Sequence, residues 1–213
     1  MKKLVTISRE YGSGGRLIGS VLAKKIDVPL YDKELINMAA EESGLSKDII
    51  SQAEMQAQNG FSYILASAMC YSDLATFHMS LNERTFMAQF DVVTEIAGQG
   101  EGVIVGRCAD FVLRDNTDVT NVFIYANEED KARRCVEVYG LSEDAVRSEI
   151  VKRDKARANY YNYHTGRKWG DRSNYNLCIN SSYMTEEETA DLIVEYLRKR
   201  TYHEAENKGE DHD

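Results

Sequence analysis

Gly12, Ser13, Gly14, Gly15 and Arg16 fall in the stretch SREYGSGGRLIG, residues 8–19, where four glycines lie within eight positions. Backbone N–H groups of such a turn converge on a concave space, and the helix that follows adds partial positive charge at its start. A phosphate is the natural occupant. Glycine suits the job because a side chain would block close approach and because some tight turns need positive φ. A glycine cluster also fits a plain flexible turn. Its position directly after an apolar strand-like run and before an amphipathic segment favours the phosphate reading.

The usual phosphate-loop pattern, GxxxxGK[ST], is absent. Laid against the GSGK core common in small kinases, GSGGR puts Gly15 where the lysine belongs and Arg16 where Ser or Thr belongs. Arg16 is therefore the expected source of positive charge for the β- and γ-phosphates, although a guanidinium fork and an ammonium point charge are not equivalent. Phosphoryl transfer depends on charge neutralisation and on alignment of donor and acceptor, so arginines from other segments are expected. Arg107 in GRCAD follows a buried-strand run, and Arg153 and Arg157 in KRDKAR stand four apart on one helix face. The competing structural reading pairs Arg153 and Arg157 with Glu149 and Asp154 on a solvated helix and lets Arg107 cap a strand.

The elements that must position these residues alternate. Strands are predicted at 4–8, 30–31, 102–106, 120–126 and 175–180, with helical spacing after each and a helical pattern from about 46 to 99 that breaks near Gly60 and Asn82. Strands separated by helices imply a parallel sheet covered on both faces. Ligands in such sheets bind beyond the strand C-termini, which draws attention to 9–16, 32–34, 106–110 and 125–128.

Composition narrows the function classes. The chain has 213 residues, 43% hydrophobic, and no uninterrupted apolar stretch of membrane-spanning length, so one globular unit without a membrane partner is expected. The first ten residues, MKKLVTISRE, lack a secretory pattern, and Cys70, Cys108, Cys135 and Cys178 form no CxxC pair, which fits a cytoplasmic protein with reduced thiols. Of the net charge of −9, four charges come from the last eleven residues, HEAENKGEDHD, expected to be a disordered acidic tail. The mildly acidic body argues against a nucleic-acid polymer as partner.

TISREYGSGGRLIG, LYDKELI, AAEESGLS, VIVGRCAD, RDKARANYYNYHTGRKWGD and YNLCINSS, in this order between about residues 3 and 198, together resemble the cytidylate kinase-like family, a branch of the P-loop nucleoside monophosphate kinases. The resemblance implies a three-layer α/β/α P-loop fold with a five-stranded parallel sheet. It implies a single domain over 1–202, with a core of 1–31 and 100–202, a helical acceptor-binding insert at about 32–99, a lid at about 147–173, and a tail at 203–213. It further implies ATP-dependent phosphoryl transfer to a nucleoside monophosphate, CMP or dCMP first, with ATP and Mg²⁺ required.

Carried over by position, Gly12, Ser13, Gly14, Gly15 and Arg16 hold the ATP phosphates, and Arg107 holds the acceptor phosphate. Arg16, Arg153 and Arg157 act on the transferring group, and Asp32, which ends the second strand as in the family, binds the acceptor substrate together with Arg107, Asp110 and Arg167. Three departures matter. Cys108 replaces an acid, leaving Asp110 as the nearest substitute; Arg157 replaces a second lid aspartate; and without the usual hydroxyl beside the lysine, Ser13 is the residue left to approach the metal. Arg167 is expected near phosphate, while Tyr160, Tyr161 and Trp169 are expected to pack a lid or a homodimer contact. A non-catalytic nucleotide-binding module, and a kinase of another small phosphorylated metabolite, stay open as alternatives.

Overall fold

The computed structural model describes residues 2–32, 38 and 81–210. Five strands form one sheet in the order β2-β3-β1-β4-β5. They are β1 (Lys3–Arg9), β2 (Leu30–Tyr31), β3 (Glu101–Val105), β4 (Val119–Tyr125) and β5 (Leu177–Asn180), and every neighbouring pair is parallel. Between and after them run α1 (Gly15–Ile26), α2 (Leu81–Gly98), α3 (Ala109–Val112), α4 (Glu128–Glu137), α5 (Glu143–Thr165) and α6 (Glu186–Glu210).

Side-chain alternation along β1 sorts the core into two layers. Val5 and Ile7 face Ile18, Leu22 and Ile26 of α1 and Ile193 and Leu197 of α6. Leu4 on the opposite face packs with Val92, Val93 and Ile96 of α2 and with Ala109 and Val112 of α3. The result is three-layer α/β/α, as the alternating pattern predicts. Odd-numbered β1 residues thus point toward α1, which decides where Arg9, the last residue of the strand, sends its stem.

Some expectations shift. The helical spacing after β3 yields only the single turn of α3, because Gly106, Arg107 and Cys108 first take φ of +82°, +59° and +53°. The closing helix runs on to Glu210, past residue 203 where a disordered tail is predicted; Ala, Glu and Lys in HEAENKGE are good helix formers. Most of the insert at 32–99, including the apolar stretch 60–81 expected to meet the sheet or a second subunit, lies outside the described residues, as does Cys70. Cys108, Cys135 and Cys178 are free thiols. Among the described residues no helix is long and apolar enough to cross a membrane.

Candidate functional site

The glycine loop leaves β1 and enters α1 through two left-handed glycines, Gly12 at φ +84° and Gly14 at +78°. Its carbonyls are tied from behind. Arg134 Nη1 donates to the Gly12 carbonyl at 3.0 Å while Nη2 pairs with Glu186 Oε1 at 3.1 Å, and the buried Ser181 hydroxyl donates to the Ser13 carbonyl at 2.7 Å. With those oxygens bound, the first N–H groups of α1, which no intrahelical carbonyl can satisfy, are left for a ligand. Ser13 itself is fully buried and its hydroxyl donates to the Glu10 carbonyl at 2.9 Å. That bond makes Ser13 a brace of the loop, and its burial leaves its oxygen no exposed surface in this structure.

Arg16 turns toward the end of β2: its Nε meets Asp32 Oδ2 at 2.6 Å, with the arginine side chain 56% exposed. Two residues expected on opposite substrates are therefore an ion pair linking α1 to β2. Lys131, buried beneath the loop on α4, has its Nζ 2.6 Å from Glu128, 3.1 Å from Glu10 and 3.9 Å from Asp154. Burial works to lower its pKa, but bonds to Glu128 and Glu10 outweigh that and hold the ammonium above its ordinary value.

From the other side α5 folds down onto the loop. Asp154 Oδ1 accepts from the Tyr11 amide at 2.6 Å, and Arg157 Nη1 donates to the Arg9 carbonyl at 3.2 Å and to Asp154 at 3.2 Å. The guanidinium of Arg153 lies 4.6 Å and that of Arg157 5.5 Å from the centre of the Tyr11 ring. Arg153 also bonds Glu149 at 2.6 Å, so the ion-pair reading of this face and the phosphate reading describe the same side chains. Burial pushes the Asp154 carboxyl up to about 6, against the Tyr11 amide and Arg157, which favour its charged form.

Between α5 and the ends of β1 and β3 lies a cavity of about 290 Å³ bounded by Ser8, Arg9, Gly106, Arg107, Arg153 and Arg157, with Tyr160, Tyr161 and Trp169 on its aromatic wall; Gly12 to Arg16 are not among its lining residues. Four guanidinium groups border one space. Arg107 is presented by consecutive left-handed residues, a backbone state that costs a non-glycine residue about 1–2 kcal/mol and that concentrates at ligand sites.

Asp110 stands one layer behind. It is 2% exposed and accepts from Tyr161 Oη at 2.6 Å and Ser8 Oγ at 3.3 Å, and burial raises its carboxyl pKa. It is thus not a substitute for the acid missing at Cys108; it fixes two residues of the cavity wall. Arg167 stacks on Phe111, 5.3 Å from the ring centre, and is not among the residues lining the cavity.

Sequence reasoning missed Arg134 and Ser181 and assigned Arg9 no role. A strand-end position flagged Arg9, whereas nothing in the spacing marked Arg134 or Ser181. His164 is not a base: its ring stacks on Phe86 at 4.3 Å and 8°, and burial depresses its pKa to about 4 despite the opposing charge of Glu83. Its unfolded pKa is near 6.5, so it stabilises the fold above that pH and loses the contribution as pH falls toward 4. His164→Phe therefore gains melting temperature relative to wild type as pH drops from 7 to 4; parallel melting curves across that range would show that the imidazole titrates normally.

Magnesium, where a kinase requires it, takes most of its oxygen ligands from phosphates, water and one or two carboxylates. Among the described residues no group of three or more His, Cys, Asp or Glu could hold an ion, and the Ser13 hydroxyl bonds the Glu10 carbonyl. A metal that arrived with ATP would take its remaining ligands from the phosphates and water.

The chain belongs to the cytidylate kinase-like family, whose model matches residues 4–183. It is 24% identical over 110 residues to a cytidylate kinase of Sulfolobus acidocaldarius, a match spanning 52% of this chain and 60% of that relative. An uncharacterized protein from Eubacterium ventriosum is 27% identical, with a TM-score of 0.67 over 92% of this chain and 98% of its own. Shikimate kinase from Bacteroides thetaiotaomicron superposes with a TM-score of 0.54 at 14% identity, over 92% of this chain and 98% of its own, a likeness of fold.

Proposed function

We propose that this member of the cytidylate kinase-like family transfers the γ-phosphoryl group of ATP to a nucleoside monophosphate, CMP or dCMP first. The observation that carries the reading is the cavity at the C-terminal ends of β1 and β3, bordered by Arg9, Arg107, Arg153 and Arg157. Such a charge density suits two polyanions brought together and is hard to explain as packing. The amides of Gly12 to Arg16 take the triphosphate, Arg107 takes the acceptor phosphate, and Arg153 and Arg157 neutralise charge on the group in flight. The acceptor is already an anion, so no strong base is needed, consistent with a neutral His164. Tyr160 and Trp169 offer flat apolar walls for a base.

A kinase of another phosphorylated metabolite gains support from the buried Cys108 and the engaged Asp110, because neither offers a free carboxylate to read a base edge. ADP release measured with CMP, dCMP, the other monophosphates and a panel of sugar and alcohol phosphates separates the two. Turnover with CMP or dCMP well above the ATP-only rate is expected. Turnover confined to a non-nucleotide acceptor moves the function to the second reading, and no acceptor-dependent turnover removes both.

A further inference from the structure

We propose that Arg9 is the cation that replaces the missing phosphate-loop lysine, a reading that rests on the phosphoryl-transfer function above. In the register of the GSGK core the lysine position is Gly15. A Cβ built on Gly15 lies 2.6 Å from Arg9 Cβ and 3.0 Å from Arg9 Cγ, so any side chain there would enter the volume that the Arg9 stem fills. Gly15 is a helical residue without a left-handed φ, so this collision, not backbone strain, keeps the position bare. The nearest clash is with the Cβ, so a lysine at 15 needs a glycine at 9; lysine at 15 and arginine at 9 are two origins for one positive charge in one channel.

The far end of Arg9 supports the assignment. Its Nη1 lies 2.1 Å from where a Cβ on Gly106 would stand, so the guanidinium spans from the loop to the β3 turn and borders the cavity beside Arg107 and Arg157. That is the boundary between the donor phosphates and the acceptor, where a phosphate-loop lysine acts. No other cation contributes an atom among the three nearest to the Gly15 Cβ position. Arg16 pairs with Asp32, Lys131 with Glu128 and Glu10, and Arg134 braces the loop carbonyl of Gly12 while paired to Glu186.

The test uses the full chain and four variants: Arg9→Gly, Arg9→Met, Gly15→Lys and the double variant Arg9→Gly/Gly15→Lys, since only glycine at 9 removes the Cβ that a side chain at 15 would meet. Each is assayed for turnover, for affinity toward Mg–ATP by calorimetry, and for melting temperature. Arg9→Met keeps the stem against Gly15 and loses the charge, so it reports on chemistry where Arg9→Gly misfolds. Loss of about 100-fold or more in kcat is expected for both single changes at 9. Gly15→Lys alone is impaired because the two stems collide, and the double variant recovers at least about tenfold over Arg9→Gly because the lysine takes the vacated channel.

An Arg9→Met enzyme within threefold of wild type, or a folded double variant no better than Arg9→Gly, would overturn the assignment. Should wild type transfer no phosphoryl group at all, the function reading fails separately, and Arg9 is then judged on Mg–ATP affinity. A tenfold or greater weakening in Arg9→Met upholds it; unchanged affinity, or no binding by wild type, overturns it.

Discussion

Arg157→Ala lowers kcat for phosphoryl transfer by about 100- to 1,000-fold, the range set by removing one preorganised donor from a transition state. The guanidinium borders the cavity and is fixed by the Arg9 carbonyl and by Asp154, each at 3.2 Å, so it enters the reaction without having to be ordered. Substitution also leaves Asp154 with Lys131 at 3.9 Å and the Tyr11 amide as partners, which loosens α5 from the loop. Arg157→Lys separates the effects, because it keeps the charge and loses the fork. It recovers part of kcat where charge neutralisation dominates. An Arg157→Ala enzyme within threefold of wild type would leave Arg157 a helix-docking residue.

Gly12→Ala costs about 2–4 kcal/mol and abolishes nucleotide binding. The residue sits at φ +84°, and a Cβ there would lie 2.8 Å from the Lys131 carbonyl oxygen and 2.9 Å from Cys135 Sγ. Neither neighbour can yield: one is helix backbone and the other a fully buried thiol. Gly140→Ala supplies the control, because Gly140 is also left-handed, at φ +69°, with nothing within 4 Å of its would-be Cβ. Strain alone there costs about 1 kcal/mol. Melting temperatures of the two variants therefore isolate the collision. A Gly12→Ala protein no less stable than Gly140→Ala, and still binding ATP, would show that the loop accommodates a side chain.

Much of the architecture was legible because burial on both faces of a parallel strand writes itself as a continuous apolar run, as in LVTIS and GVIVG, and helices between such runs force crossovers. Site legibility was uneven. Arg107, Arg153 and Arg157 follow from strand-end and helix-face positions, and all three border the cavity. The reading of Arg16 as the replacement cation came from its adjacency to the missing lysine along the chain. Adjacency in sequence says nothing about where Cα–Cβ vectors lead, and only coordinates show that position 15 opens onto Arg9 while Arg16 turns to Asp32. Asp110 misled for a related reason: an acid two residues from the expected one reads as a substitute until its 2% exposure is seen. Arg134 lies in the charged run NEEDKARRC, where one arginine is indistinguishable from its solvated neighbours by pattern alone.

The most direct measurement is a crystal structure with a non-hydrolysable ATP analogue, Mg²⁺ and CMP. The β- and γ-phosphates are expected on the amides of Gly12 to Arg16, with Arg9 and Arg157 within hydrogen-bond distance of the γ-phosphate and Arg107 on the acceptor phosphate. An analogue bound elsewhere, or one on the loop with Arg9, Arg107 and Arg157 all directed away from both phosphates, would contradict phosphoryl transfer at this site.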